Sequence, residues 1–139
     1  MTSDANEPRH RSFAFATQVL PAAAYTVALF YSGLIRIGAL PEVGFVATDK
    51  LLHALAFGGL ALLLARASNW LGVARSLRHK LVLGGVGASL LGLLLEVCQA
   101  FTVYRTADVW DWVADTIGAV IAAVVAFALC AWLPRRAHG

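Results

Sequence analysis

Three groups of polar residues interrupt an otherwise apolar chain: Asp49-Lys50-x-x-His53, Glu96-x-x-Gln99 and Arg105-x-x-Asp108-x-x-Asp111-x-x-x-Asp115. On a helix, residues three and four apart share a face. Asp49 and Lys50 therefore both neighbour His53, Glu96 neighbours Gln99, and the three aspartates form one stripe. A histidine beside carboxylates is equipped for general acid–base chemistry, because the carboxylate orients the ring and tunes its affinity for a proton. On that logic His53, Glu96, Asp49 and Asp108 are the candidate catalytic groups. Lys50 and Arg105 suit a phosphate or carboxylate through charge-assisted hydrogen bonds. With Gln99, Asp111 and Asp115 they make up the candidate ligand-binding set.

Five carboxylates against two cations leave this group at −3 with His53 neutral. Such an acid excess in a poorly hydrated place calls for protonated carboxylates, a wet pocket or a bound cation. Carboxylates and one histidine suit a hard divalent ion. The spacing matches no specific metal motif, so no cofactor is predicted and a divalent cation stands as the alternative.

The elements that carry these residues are read from hydropathy. The chain has 139 residues, 60% hydrophobic and 14% charged, with a mean hydropathy of +0.74. Soluble domains carry about a quarter charged residues, so lipid is the expected solvent. About 20 apolar residues cross the hydrocarbon core, and four runs qualify: 13–35, 49–65, 81–101 and 108–133. The expected fold is all-α, one membrane bundle of four transmembrane helices, with short tails over 1–12 and 134–139. The first run exceeds the roughly 7–15 residues of a signal-peptide core and is read as a retained helix, with Pro21 as a kink. Arg36–Thr48, with Gly38, Pro41 and Gly44, is a loop, and Arg66–Lys80 is a basic connection.

Charge sets the orientation. The tails and the middle connection hold Arg9, Arg11, Arg66, Arg75, Arg78, Lys80, Arg135 and Arg136; the opposite side holds only Arg36, Lys50 and Arg105. Both termini are therefore expected in the cytoplasm, with the polar groups facing outward. Trp70 and Trp132 fall near the inner interface, and Trp110 and Trp112 near the outer one. Gly84, Ala88 and Gly92, then Gly118, Ala122 and Ala126, recur every four residues. Small residues at this spacing let helices approach closely in lipid; packing within the chain is the expected use and a homodimer face the alternative. Cys98 and Cys130 are expected as two free, buried thiols. The basic residues lie between apolar spans rather than along one face, which argues against nucleic acid.

Each polar residue also has a purely structural use. Asp49 or Thr48, and Asp108 or Thr106, can cap helices. Lys50 can snorkel to the interface. Glu96 can pair with Arg105, Asp111 can face outer water, and Asp115 can be protonated against a neighbouring backbone group.

At these residues the chain resembles the VanZ-like family of bacterial membrane proteins. That family shows D-K-x-x-H at the start of one helix, E-x-x-Q at the end of the next, and R-x-x-D-x-x-D-x-x-x-N followed by a glycine. Asp49, Lys50, His53, Glu96, Gln99, Arg105, Asp108, Asp111 and Gly118 match, over about 49–122. Asp115 stands where the family usually has asparagine, and Phe57 where many members have tyrosine. The resemblance implies a place in the bacterial envelope, here the inner membrane with the polar groups facing the periplasm or cell exterior, and a link to resistance to teicoplanin, a lipoglycopeptide. The expected function is an outer-leaflet polar site that binds or modifies an anionic lipid or a polyprenyl-phosphate-linked cell-wall precursor. The alternatives are a non-enzymatic envelope or partner-binding factor, whose polar cluster serves folding or docking, and a small transporter or proton relay. Against the last, the inner halves of the spans hold few polar residues.

Overall fold

The computed structural model describes residues 7–35, 46–103 and 107–133. They form α1 (Glu7–Gln18), α2 (Leu20–Leu34), α3 (Val46–Trp70), α4 (Leu77–Ala100) and α5 (Val109–Trp132), with no strand among the described residues. Arg105, Glu42, Arg36 and the tail arginines 135 and 136 lie outside them.

Four helical stretches are long and apolar enough to cross a membrane: Ser12–Leu34, Thr48–Trp70, Leu77–Ala100 and Val109–Trp132. The first is α1 and α2 in tandem. Pro21 has no N–H to donate and crowds the carbonyl four residues back, which breaks the ladder at that point. The chain still runs on helically, since Val19 N donates to the Phe15 carbonyl and Ala23 N to that of Val19.

Helix ends differ from the hydropathy reading. Helix α1 starts at Glu7, well inside the expected tail, with Pro8 in the first turn where its missing N–H costs nothing. Helix α3 runs to Trp70 and α4 starts at Leu77, so the basic connection shrinks to 71–76. Hydropathy marks where the bilayer ends, and a helix can run on past it. What stops α3 is Gly72, at φ +68, the left-handed conformation that glycine adopts without strain. What starts α4 is Ser76, whose hydroxyl accepts from His79 N at 3.2 Å.

The spans alternate in direction. At one end, where α2 and α4 finish and α3 and α5 begin, Gln99 Nε2 donates to the Gly33 carbonyl at 3.1 Å. At the other, Asn69 Nδ2 donates to Gln18 Oε1 at 3.1 Å and Lys80 Nζ to Asn69 Oδ1, while Phe15 and Trp70 meet edge to face. The first is called here the polar end and the second the basic end.

Helix α3 packs on both α4 and α5, around a core of Phe57, Leu60, Ala61, Ala88, Leu95 and Ala119. The outward faces carry exposed Leu55, Leu62, Val82, Val86, Leu90 and Val124, an apolar surface suited to lipid. The small-residue stripes serve packing within the chain. Gly118 lies against the backbone of Ala54 and Gly84 against that of Ala61 and Ala65, so closely that a Cβ on either glycine would overlap main-chain atoms. The cysteines are free, but neither is buried: Cys98 is half-buried and Cys130 exposed, because Cys130 falls on the lipid side of α5.

A side chain at Gly118 must separate α5 from α3. Gly118→Val is expected to lower stability by at least about 1–3 kcal/mol, the usual range for overpacking. Gly85→Ala should be neutral or slightly stabilising, because a Cβ there meets nothing within 4 Å. Thermal unfolding of the two purified variants in one detergent measures the difference; equal melting would overturn the close approach.

Candidate functional site

The polar end brings together groups from three helices. The first turns of α3 supply Asp49, Lys50 and His53; the last turns of α4 supply Glu96 and Gln99; Asp108 opens α5, and Asp111 and Asp115 follow in its first two turns. Side-chain exposure falls along that stripe from 42% at Asp108 to 13% at Asp111 and 0% at Asp115. The stripe thus runs from the rim into the bundle, over roughly 10 Å at 1.5 Å per residue.

At the rim, Lys50 Nζ donates to Asp108 Oδ2 at 2.6 Å and to Asp111 Oδ1. Asp108 is also the N-cap of α5, its Oδ1 accepting from Trp110 N at 2.9 Å. Its own backbone N–H donates to Glu96 Oε2 at 2.9 Å. The start of α5 is therefore tied to α3 by charge and to α4 by a hydrogen bond. The Lys50 ammonium, and then the Trp110 N–H, hold the Asp108 carboxyl below the usual carboxylate range. Of the structural uses open in the sequence, capping is realised at Asp108. It is not realised at Asp49 or Thr48, because α3 begins at Val46 and both lie inside it.

Deeper in, His53 Nδ1 lies 3.0 Å from Asp115 Oδ1, and its Nε2 lies 3.8 Å from Asp111 Oδ2. The second distance is too long for a hydrogen bond. One ring nitrogen is clamped by a fully buried carboxylate, and the other faces the rim. Asp115 fits because position 92 is glycine: a Cβ there would stand 2.7 Å from Asp115 Oδ2. Asp115 Oδ2 and Glu96 Oε1 are buried and take no hydrogen bond from the described residues.

Asp49, His53 and Asp111 can each turn one ligand atom toward a common point, all within 4.8 Å of one another. This is the set that fits a divalent ion. Asp111 is shared with Lys50, and three donors leave the other positions of a hard cation to water.

The structure thus gathers Lys50, His53, Glu96, Asp108, Asp111 and Asp115, with exposed Asp49 at their edge. Gln99 is engaged elsewhere, on Gly33. A further polar group was not anticipated. Trp112 Nε1 donates to the Ser89 carbonyl at 3.1 Å, and Ser89 Oγ lies 2.8 Å from Thr116 Oγ1. Trp112 therefore ties α5 to mid-α4, whereas Trp110 is exposed. The signal was available, since Ser89 is the one polar side chain between Leu81 and Leu95.

The sequence profile of the VanZ/LLP1 family matches residues 3–131, taking in the first span as well as the three motif-bearing ones. No curated protein and no solved structure matches the chain.

The clamp on His53 can be separated from bulk at position 115. Asp115→Asn keeps an acceptor for Nδ1 and is expected to fold with stability close to the parent. Asp115→Leu strands Nδ1 without a partner and should cost about 1–3 kcal/mol. Unfolding of both variants in detergent tests this; a leucine variant as stable as the asparagine one would show that the clamp contributes nothing.

Proposed function

The chain belongs to the VanZ/LLP1 family, and on that ground we propose that this multi-pass membrane protein of the bacterial envelope binds an anionic lipid headgroup at its polar end and carries out proton transfer on it. The headgroup belongs to a phospholipid or to a polyprenyl-phosphate-linked cell-wall precursor. Both termini are placed in the cytoplasm and the polar end outside, following the charge asymmetry of the loops. A contribution to lipoglycopeptide resistance would follow from occupying or altering such a precursor.

The observation that carries this reading is the set of His53: Nδ1 on buried Asp115, Nε2 turned to the rim. Asp115 fixes the ring's orientation and stabilises the imidazolium formed when Nε2 takes a proton from a hydroxyl or water of the ligand. Lys50 supplies the positive charge for a phosphate, which competes with the half-exposed carboxylate of Asp108 for the ammonium. Arg105, three residues before Asp108 in the chain, adds the second cation.

A structural role for the same cluster is favoured by a different observation. Glu96 and Lys50 spend their contacts holding the start of α5, which is what a non-enzymatic envelope factor would need. The two readings part on abundance. In the structural one, His53→Ala, Glu96→Ala and Asp49→Ala lose function only as far as they lose folded protein.

The direct experiment uses the purified full chain with radiolabelled polyprenyl phosphate and anionic phospholipids, scored for retention and turnover. His53→Ala should fold, retain lipid and lower turnover by about 10²–10⁴-fold, the usual worth of a general acid or base. Lys50→Met should weaken retention. A parent protein that neither retains nor converts any of these lipids would sink the proposal, as would variants indistinguishable from it.

A further inference from the structure

A second feature lies away from the polar end, on the lipid side of α4 and α5. A groove of about 640 Å³ runs between these two helices, with Gly85, Ala119 and Ala123 among its lining residues. That volume is in the range of ligand pockets. Toward one end lie Ser89 and Thr116, whose hydroxyls bond each other. The other reaches Arg78, in the first turn of α4 at the basic end, the one charged residue lining the groove.

Two measures say what fits. The lining residues of α4 run from Arg78 to Leu90, roughly 18 Å at 1.5 Å per residue. A bilayer core is about 30 Å thick, so the groove covers about one leaflet and suits a single hydrocarbon chain of that leaflet. Charge then selects the head. The Arg78 guanidinium is held 5.2 Å over the Phe127 ring, and it pairs with no carboxylate among the described residues. A cation parked on an aromatic face at the mouth of a chain-sized groove is complementary to a lipid phosphate.

We propose that the α4–α5 groove is a binding site for an anionic phospholipid, its acyl chain between Gly85 and Ala123 and its phosphate on Arg78. The site is independent of the polar end and of the chemistry assigned there. It holds a lipid of the leaflet at the basic end, opposite the leaflet that His53 and Lys50 face.

Native mass spectrometry of the full chain in mild detergent tests it, with phosphatidylglycerol and phosphatidylcholine of identical chains as probes. Phosphatidylglycerol is expected to be retained roughly fivefold better, the effect of one arginine near a lipid phosphate. Because the polar end is itself assigned an anionic headgroup, Arg78→Gln is made in a Lys50→Met chain, where it should bring the ratio close to one. Gly85→Leu places a side chain into the groove, where a Cβ meets nothing within 4 Å; it should lower retention of both lipids while the bundle melts like the parent. Equal retention of the two lipids by the parent overturns the proposal. So does an unchanged ratio when Arg78→Gln is added to Lys50→Met, or undiminished retention in a normally melting Gly85→Leu chain.

Discussion

The close approach of α5 to α3 at Gly118 and Ala54 governs the molecule. In water, burying apolar side chains drives helices together; in lipid that drive is absent, and close backbone packing takes its place. Gly118 supplies it against Ala54, and Gly84 against Ala61 and Ala65. The consequence for chemistry is one of register. His53 immediately precedes Ala54, and Asp115 lies three residues before Gly118 on the same face. The contact that fixes the helix pair therefore also fixes the distance between His53 Nδ1 and Asp115 Oδ1. On α4, Gly92 continues the stripe begun by Gly84 and gives Asp115 its room. The stripes that bind the bundle together are the ones that locate its site.

Polarity is graded along the axis of that packing. At the rim, carboxylates are solvated in part and neutralised by Lys50; seven residues deeper, Asp115 is wholly buried with one imidazole for company. An ionisable group costs about 2.5–3.5 kcal/mol at the centre of a membrane on insertion scales. The cost falls toward the ends, and the cluster is confined there. The basic end is built differently. Its cations sit outside the bundle, one on the Phe127 ring and another on Asn69, and they meet neither a buried acid nor one another among the described residues.

Much of this was legible in the chain. The four spans follow from hydropathy, because lipid tolerates no other composition over that length. The convergence of Lys50, His53, Glu96 and the aspartates follows from spacing and from the small residues that continue the aspartate stripe. Partner choice was not legible. Glu96 accepts a backbone N–H from Asp108, a donor that every residue but proline carries and that no spacing singles out; its pairing with Arg105 lies outside the described residues. Asp49 and Asp108 read alike as caps; only Asp108 stands at a helix start, because α3 had already begun three residues before Asp49. Trp112 read as an interface residue from its position, and only the phase of α5 against α4 shows that its N–H reaches Ser89.

Asp115 is where packing and chemistry meet most sharply. A neutral amide of the same shape at this position would also satisfy His53, with less electrostatic cost in lipid. The acid carries an oxygen that no described residue serves, and it lies against the bare backbone of Gly92, in a space that an amide would share. The difference between acid and amide is therefore charge, which in lipid lowers stability without improving packing. The amide can orient an imidazole as the carboxylate does. What the carboxylate adds is stabilisation of the ring's charged form, which matters only when that ring takes up a proton. In the proposed function that charge and the rimward Nε2 serve one end, a histidine that changes its protonation state as it works on the ligand.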